Sequence, residues 1–298
     1  MGVMVMRGRS GRVSLDSITG RKPKKVKPRI IIHGGGGIGK TSLASCFPKP
    51  IFIQSRGESG LETLQTAGLV SESISLMPFM VERQEIDDDG KITTFEVPSN
   101  EACSWQDVYD GLEFLRTAEH DFSTLVFDVI NGVERLLFQY VCDRNFGGEW
   151  SEKGFLGYGR GYDASLPYLK DFTNLLDDIR TNRQMTIVML AHSKVKTVKN
   201  PAGPDYDKFM PDMHDKTWGW IYGWADMVLF ANRMTRVDEK GGKVKTIDIR
   251  QIFAEGTPAW DAKNRYGINK IVDMGENAGQ AYQNLIKAMI ANKQQTTS

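Results

Sequence analysis

Short apolar runs alternate with amphipathic segments along the whole chain. The runs lie at residues 29–33, 51–54, 125–128, 186–191 and 227–231, and their lengths are typical of buried strands. Amphipathic periodicity predicts helices at residues 105–117, 133–144, 166–181 and 278–292. Strands that alternate with helices over this length predict an α/β domain with a mainly parallel sheet and helices on both faces.

Two further segments have the pattern of antiparallel hairpins. Residues 74–81 and 92–97 flank the turn sequence DDDGK, and residues 234–238 and 244–252 flank EKGGK. Glycine in a short polar linker between apolar segments is typical of hairpin turns. We therefore expect an N-terminal arm at residues 1–28, one core domain at residues 29–275, and a final helix with a frayed tail at residues 276–298.

Composition restricts the classes of protein that the chain can be. Its 298 residues are 40% hydrophobic and 25% charged, which is ordinary for a globular chain. Three cysteines without C-x-x-C spacing indicate neither a zinc site nor a disulfide framework. No apolar stretch has the length of a membrane span, and the first residues lack the apolar region of a signal peptide. We expect a cytoplasmic protein without a membrane partner.

The net charge of +1 hides an uneven distribution. Residues 1–29 carry nine Lys or Arg against Asp16 alone, so the remainder holds 29 basic and 36 acidic residues. A basic arm of this kind is typical of contact with nucleic acid phosphates. It is equally typical of a solvated terminal tail, and both interpretations stay open.

The sequence GGGGIGKTS satisfies the phosphate-binding pattern G-x-x-x-x-G-K-[ST] directly after an apolar run. Backbone N–H groups in such a loop point at phosphates beside the positive end of a helix dipole. Lysine in this position reaches the β- and γ-phosphates, and the following hydroxyl binds Mg²⁺. The predicted nucleotide-binding residues are Gly34, Gly35, Gly36, Gly37, Ile38, Gly39, Lys40, Thr41 and Ser42.

A second nucleotide motif follows 88 residues later. In STLVFDVING, three apolar residues precede Asp128, which places this carboxylate at the edge of the sheet where ligands of open α/β folds bind. Thr41 and Asp128 are therefore the predicted Mg²⁺ ligands. Val129 stands where many P-loop ATPases have a glutamate, so a hydrolytic base has to come from another strand.

The order of several segments resembles phage-encoded RecA-like nucleotide-binding proteins associated with recombination and single-strand annealing. The resemblance spans residues 29–270 and is carried by IHGGGGIGKTSLA, PIFIQSRGESGLETL, STLVFDVINGVERLL, GYGRGYDASLPYL, VMLAHSKVKTVKNPAG, WADMVLFANR and PAWDAKNRYGI. It implies a RecA-like P-loop NTPase core that uses ATP and Mg²⁺. It also implies self-assembly into a ring or filament with nucleotide between subunits, action on single-stranded DNA, and a phage or host recombination protein as a partner.

The resemblance also implies roles for individual residues. A glutamate at the end of the second strand activates water in RecA-like proteins, but Arg56 holds that register here and Glu58 follows two residues later. Glu58 is the predicted base, although a carboxylate at a helix N-terminus is an equally common reason for its position. Lys263 and Arg265 match the basic pair that reaches a neighbour's γ-phosphate, and His192 matches the strand-end phosphate sensor.

Two segments are candidates for DNA contact because they resemble the DNA-facing loops of RecA-like proteins. One spans residues 152–162 and the other spans residues 192–220. Cations and aromatic rings together suit a single strand, since cations follow phosphates and rings stack on bases. The predicted contacts are Arg160, Tyr158, Lys194, Lys196 and Lys199. A nucleotide-site lid or a subunit interface is the alternative for these segments.

Two other functions stay open from the sequence. A P-loop kinase of a small molecule is one, although the chain lacks an Arg-rich lid segment. A nucleotide-gated protein loader or packaging adaptor is the other. ATP is favoured over GTP because no N-K-x-D element follows the sheet.

Overall fold

The computed structural model describes residues 26–86, 90–234, 249–268 and 271–291. The strands are β1 (Arg29–Gly34), β2 (Pro50–Ser55), β3 (Ser75–Leu76), β4 (Phe79–Ile86), β5 (Ile92–Ser99), β6 (Glu101–Ala102), β7 (Thr124–Asp128), β8 (Thr186–Val198), β9 (Tyr206–Pro211), β10 (Met227–Met234), β11 (Ile249–Phe253), β12 (Lys263–Asn264) and β13 (Val272–Asp273). The helices are α1 (Lys40–Ser45), α2 (Gly60–Thr66), α3 (Trp105–Thr117), α4 (Ile130–Phe146), α5 (Arg160–Asn182), α6 (Asp215–Trp224) and α7 (Ala278–Ala291).

The main sheet has the strand order β3-β2-β7-β8-β1-β10-β11-β13. Strands β2, β7, β8, β1 and β10 are parallel to one another, whereas β11 pairs antiparallel with β10 and β13 with β11. In this register Gly34 lies beside His192 on one side and Ala231 on the other. The carboxyl ends of the parallel strands therefore meet at one edge, and β8 separates the phosphate-loop strand β1 from β7.

Helices cover both faces of the sheet, which is why the central strands are apolar on both sides. One face packs on α3, α4, α5 and α6 through Trp105, Val133, Phe172 and Trp218, together with strand residues such as Ile31. The other face packs on α1, α2 and α7 through Leu43, Leu61 and Leu285, together with Ile30 and Ile32. The predicted α/β P-loop architecture, with a mainly parallel sheet and antiparallel additions, is confirmed.

Several predicted boundaries differ from those observed. The helix expected at residues 105–117 is confirmed, whereas the one expected from residue 166 begins at Arg160. Residues 160–165 lack an apolar period, but Gly161 lies against the Phe155 ring, where a Cβ would be 2.3 Å away. A tertiary contact that requires glycine therefore extends this helix beyond its amphipathic part.

The largest departure is at β8. This strand continues past residue 191 to Val198 and pairs antiparallel with β9, so a segment predicted as a loop is a β-hairpin. The first predicted hairpin is shifted, because β4 pairs with β5 while residues 75–76 join the main sheet as β3. The β10–β11 pairing agrees with the second hairpin. Its turn lies outside the described residues, as do residues 1–25 of the N-terminal arm and the C-terminal tail.

Each helix within the described ranges is too short or too polar to span a bilayer.

Candidate nucleotide site

The loop between β1 and α1 has the backbone geometry of a phosphate cradle. Gly37 and Gly39 have φ angles of 70° and 99°, a left-handed conformation that residues with a Cβ rarely adopt. Gly34 lies so close to the neighbouring strand that a Cβ would be 2.2 Å from the carbonyl oxygen of Ala231. Glycine is required at these positions for the loop to curl beside β10.

Lys40 lies inside this loop rather than in solvent. Its side chain is only 6% exposed, and its Nζ donates to the carbonyl oxygens of Gly34 at 3.0 Å and Gly35 at 2.8 Å. Burial lowers its pKa, while the negative charges of Asp128 and Glu58 act in the opposite direction. The ammonium group is thus held at the centre of the loop, next to two carboxylates.

Thr41 and Asp128 come together as the sequence predicts. The Thr41 hydroxyl donates to Oδ2 of Asp128 at 2.9 Å, and burial raises the pKa of this carboxyl to about 6. A Cβ on Gly60, the first residue of α2, would lie 3.3 Å from Thr41 Oγ1 and 3.6 Å from Asp128 Oδ2. Because Gly60 has no Cβ, space is left beside the Thr41 and Asp128 oxygens.

The oxygen pair fits Mg²⁺, which is held by one or two protein oxygens together with substrate phosphates. No cluster of three or more His, Cys, Asp and Glu that could bind a metal occurs in the described parts of the chain. A metal held largely by nucleotide phosphates does not need such a cluster. Thr41 and Asp128 are therefore the residues that would hold Mg²⁺.

The candidate base and the candidate sensor are hydrogen-bonded to each other. His192 Nε2 and Glu58 Oε1 are 2.9 Å apart, and the Glu58 carboxylate acts electrostatically on both Lys40 and Asp128. Arg56 is exposed, and its charge acts instead on the Cys103 thiol. Glu58 is thus the acidic residue after β2 that belongs to this site.

Asn131 was not predicted from the sequence, although it links the site to the β8–β9 hairpin. This residue is 3% exposed. Its Oδ1 accepts from the backbone N–H of His192 at 2.9 Å, and its Nδ2 donates to the carbonyl oxygen of Asp212 at 2.6 Å. Since the Asp212 N–H also donates to the His192 carbonyl at 2.8 Å, the end of β9 is fixed to the strand that carries His192.

Glu134, one turn further along α4, is a second buried polar residue that was missed. Its carboxylate accepts from the backbone N–H of His214 at 3.0 Å and from the Thr217 hydroxyl. Both polar residues interrupt the apolar pattern of VINGVERLL at a spacing of three, which places them on one face of a helix. That spacing is the signal from which they could have been found.

Replacing Glu134 with glutamine is expected to change how stability depends on pH. Burial raises the pKa of Glu134 from its ordinary value of 4.5 to about 7, so the folded state binds a proton that the unfolded state releases between these values. Folded-state stability then falls as pH rises from 4.5 through 7, by an amount on the order of 3 kcal/mol. The Gln variant should gain stability relative to the parent by a similar amount between pH 5 and pH 8, as measured by urea unfolding.

Glu119 provides a control for this measurement because it is exposed. The unfolding free energy of Glu119→Gln should differ from that of the parent by the same amount at pH 5 and at pH 8. A Glu134→Gln variant that behaves in the same way would contradict the buried, protonatable carboxyl.

Lys263 and Arg265 do not reach this chain's own phosphate loop. Lys263 Nζ donates to the carbonyl oxygens of Tyr222 and Gly223, whereas Arg265 Nη1 lies 3.1 Å from Asp226 Oδ1. β12 pairs with the first residues of β10, and β10 is parallel to β1. Both cations therefore lie at the edge of the sheet opposite to Gly34.

The two segments predicted to contact DNA lie against each other. The ring of Tyr162 stacks on that of His214 with a centroid distance of 3.6 Å, and Lys216 pairs with Asp163. Tyr158 is fully exposed. Arg160, in contrast, donates to the carbonyl oxygens of residues 153, 154 and 157, so its guanidinium closes the turn before α5.

The three lysines predicted to contact DNA each have an aspartate partner. Lys194 Nζ lies 3.2 Å from Asp212 Oδ1, and the other two ion pairs are Lys196–Asp215 and Lys199–Asp205. Such exposed pairs are weak. The lysine charge is available to another anion only in competition with these carboxylates.

The fold and the site together define a nucleotide-binding P-loop ATPase domain. A family model described as an AAA domain matches residues 26–266, and the chain belongs to that family. No curated protein matches the sequence. Among solved structures, a prototypical ATPase from the type III secretion system of pathogenic bacteria is similar, with 14% identity, a TM-score of 0.38 and coverage of 70% of this chain. The match covers 53% of that ATPase, so the chain spans about half of its length.

Proposed function

We propose that this protein is a Mg²⁺-dependent ATPase of RecA-like type that assembles with copies of itself on single-stranded DNA and assists phage recombination or annealing. The observation that carries the proposal is the hydrogen bond between Glu58 and His192 beside Lys40 and Asp128. This bond joins Glu58, the candidate base, to His192 in β8. The residues of β8 that follow His192 form the β8–β9 hairpin, which carries the lysines predicted to contact DNA.

The residues of the site divide the work of hydrolysis between them. Lys40 exchanges its two carbonyl partners for phosphate oxygens, because an ammonium group binds phosphate more strongly than a neutral carbonyl. Mg²⁺, when bound by Thr41 and Asp128, neutralises charge on the phosphates. Glu58 accepts a proton from the attacking water, and the hydrogen bond from His192 holds its carboxylate in position.

Contact with DNA is supported by the surface around Tyr158 and the β8–β9 hairpin. An exposed ring in one segment suits stacking on bases, and the lysines of the other segment suit pairing with phosphates. Because each of the three lysines has an aspartate partner, phosphate binding requires those pairs to exchange. The affinity for single-stranded DNA should therefore be modest and should fall steeply as salt concentration rises.

Self-assembly is supported by the position of Lys263 and Arg265. Cations at the edge opposite the phosphate loop can reach only a nucleotide that another subunit holds. Arginine in such a position stabilises charge on the transferred phosphoryl group. Lys263 and Arg265 of one copy would then complete the site of the next.

Replacing Arg265 with alanine should leave ATP affinity within about threefold of the parent while reducing assembled turnover at least about 100-fold, as loss of an arginine finger does. A mixing experiment tests the trans arrangement directly. Arg265→Ala subunits keep Lys40, and Lys40→Ala subunits keep Arg265. Neither variant should hydrolyse ATP alone, but a mixture should regain turnover because some interfaces contain both residues. A mixture as inactive as its components would contradict the trans role.

The proposal as a whole is tested by ATP turnover with and without single-stranded DNA at two salt concentrations, together with light scattering. Turnover that DNA stimulates, and that high salt suppresses, is the expected result, with large assemblies in the presence of ATP. Phosphate transfer to a nucleoside or nucleotide would instead identify a small-molecule kinase. Turnover that responds to a protein partner but not to DNA would identify a loader or packaging adaptor.

A further inference from the structure

An apolar groove lies between α3, the β4–β5 hairpin and the strands at the β2–β3 edge of the sheet. Its cavity volume is about 610 Å³. The apolar side chains that line it are Ile51, Leu76, Met77, Phe79, Phe114 and Phe122. Phe114 is 49% exposed and Met80, at the rim, is 57% exposed. This groove takes no part in the nucleotide site.

The rim of the groove is acidic. Glu96, Asp107 and Asp110 line it, and no lysine or arginine is among its lining residues in the described parts of the chain. Glu96 and Asp110 are exposed. The groove therefore fits a segment that carries apolar side chains and several positive charges.

Such a segment exists in the chain itself. Residues 1–25 hold seven Lys or Arg against Asp16 alone, and residues 3–6 are the apolar sequence VMVM. The function proposed above leaves this segment without a role. Its composition is complementary to the groove in both apolar character and charge.

The described chain begins close enough for this segment to reach the groove. The carbonyl oxygen of Lys27 accepts from Arg180 in the last turn of α5. Asp178 on the same helix lies 4.0 Å from Arg116 on α3, two residues beyond Phe114. Neighbouring helix axes are about 10 Å apart, whereas 25 extended residues span up to roughly 80 Å. The distance to be bridged is small compared with the reach of the segment.

We propose that residues 1–25 occupy the acidic apolar groove of the same chain. The apolar residues 3–6 cover the floor that Phe114 and Phe79 form, and the basic residues that follow pair with Glu96 and Asp110. The basic arm is then packed against the folded domain. This contact requires neither ATP nor DNA, so its test is independent of the proposed ATPase.

Limited trypsin digestion of the full-length protein tests the proposal, because Arg7, Arg9 and Arg12 are cleavage sites inside the segment. Mass spectrometry gives the rate of cleavage at each site. In a Glu96→Lys/Asp110→Lys variant these sites should be cleaved at least tenfold faster than in the parent. Phe114→Ala should also accelerate cleavage, since it removes part of the apolar floor without altering charge.

A matched control reverses two exposed acidic residues elsewhere, Asp143→Lys/Glu152→Lys, and should leave the cleavage rates unchanged. Unfolding temperature and far-UV circular dichroism establish that every variant is folded. Equal rates in the parent and the groove variants would overturn the proposal. So would acceleration in the control variant equal to that in the groove variants, because the effect would then be one of net charge.

Carbodiimide cross-linking distinguishes the same chain from a second copy. Amide bonds from Lys22, Lys24 or Lys25 to Glu96 or Asp110 should appear in the monomer, with a yield that does not change over a 100-fold dilution of the protein. Cross-links found only between copies, or protection from trypsin that is lost on dilution, would overturn occupancy by the same chain.

Discussion

ATP affinity should fall at least about 100-fold when Lys40 is replaced by alanine, which corresponds to about 2.7 kcal/mol of binding free energy. The ammonium group is almost fully buried and is already positioned by the carbonyl oxygens of Gly34 and Gly35. Its charge-assisted bonds to phosphate need little further ordering, so their loss has a large effect. Isothermal titration with ATP measures the change.

Lys49 is the matched control for this substitution. It is an exposed lysine whose pairing with Asp121 at 2.7 Å lies on the surface, so Lys49→Ala should leave ATP affinity within twofold of the parent. The folded state of both variants is checked by thermal unfolding. Affinity that survives in a folded Lys40→Ala protein would remove the phosphate-loop assignment.

Replacing Glu58 with glutamine should lower the maximal rate of ATP hydrolysis by roughly 100- to 10,000-fold, the range expected for a general base. Glutamine has nearly the same shape and can keep a hydrogen bond to His192, but it cannot accept the proton from water. ATP affinity should stay within about threefold of the parent. Single-turnover hydrolysis at saturating ATP separates the two effects.

Two companion variants make this result specific. Arg56→Ala tests the residue that stands in the expected register of the base, and it should hydrolyse ATP like the parent because Arg56 is exposed outside the site. His192→Ala should reduce turnover less than Glu58→Gln, since it removes only the group that holds the carboxylate. Equal hydrolysis by Glu58→Gln and the parent would show that another residue is the base.

The parts of the site that were predictable depend on local sequence. The phosphate loop needs glycines at fixed intervals, and Asp128 ends a buried strand, so both follow from spacing and hydrophobic pattern. The position of Glu58 was harder to predict because the conformation of the turn after β2 decides whether its side chain points into the nucleotide site. There Gly57 has a φ of 86° and the Glu58 N–H donates to the Ser55 carbonyl at 3.1 Å.

The parts that were not predictable depend on which elements become neighbours. Asn131 has a role only because β8 lies next to β7, and a sequence does not state this adjacency. The β8–β9 hairpin was missed because the half-buried Lys194 and Lys196 occupy positions where the alternating pattern of a strand would have apolar residues. Likewise, the AKNRYG sequence suggests contact with a phosphate, but only the pairing of β12 with the start of β10 places Lys263 and Arg265 at the edge opposite this chain's own phosphate loop.

The bonds that Asn131 makes to His192 and Asp212 have a thermodynamic consequence. If nucleotide binding shifts the end of β8, the hairpin has to respond, because one buried amide fixes both. Linkage is reciprocal, so a ligand that binds the hairpin and raises the affinity for ATP must have its own affinity raised by the same factor. Measuring either affinity in the presence of the other ligand then determines the coupling free energy. Asn131→Ala should lower that energy without abolishing it, because the bond between Asp212 and His192 and the β8–β9 pairing remain.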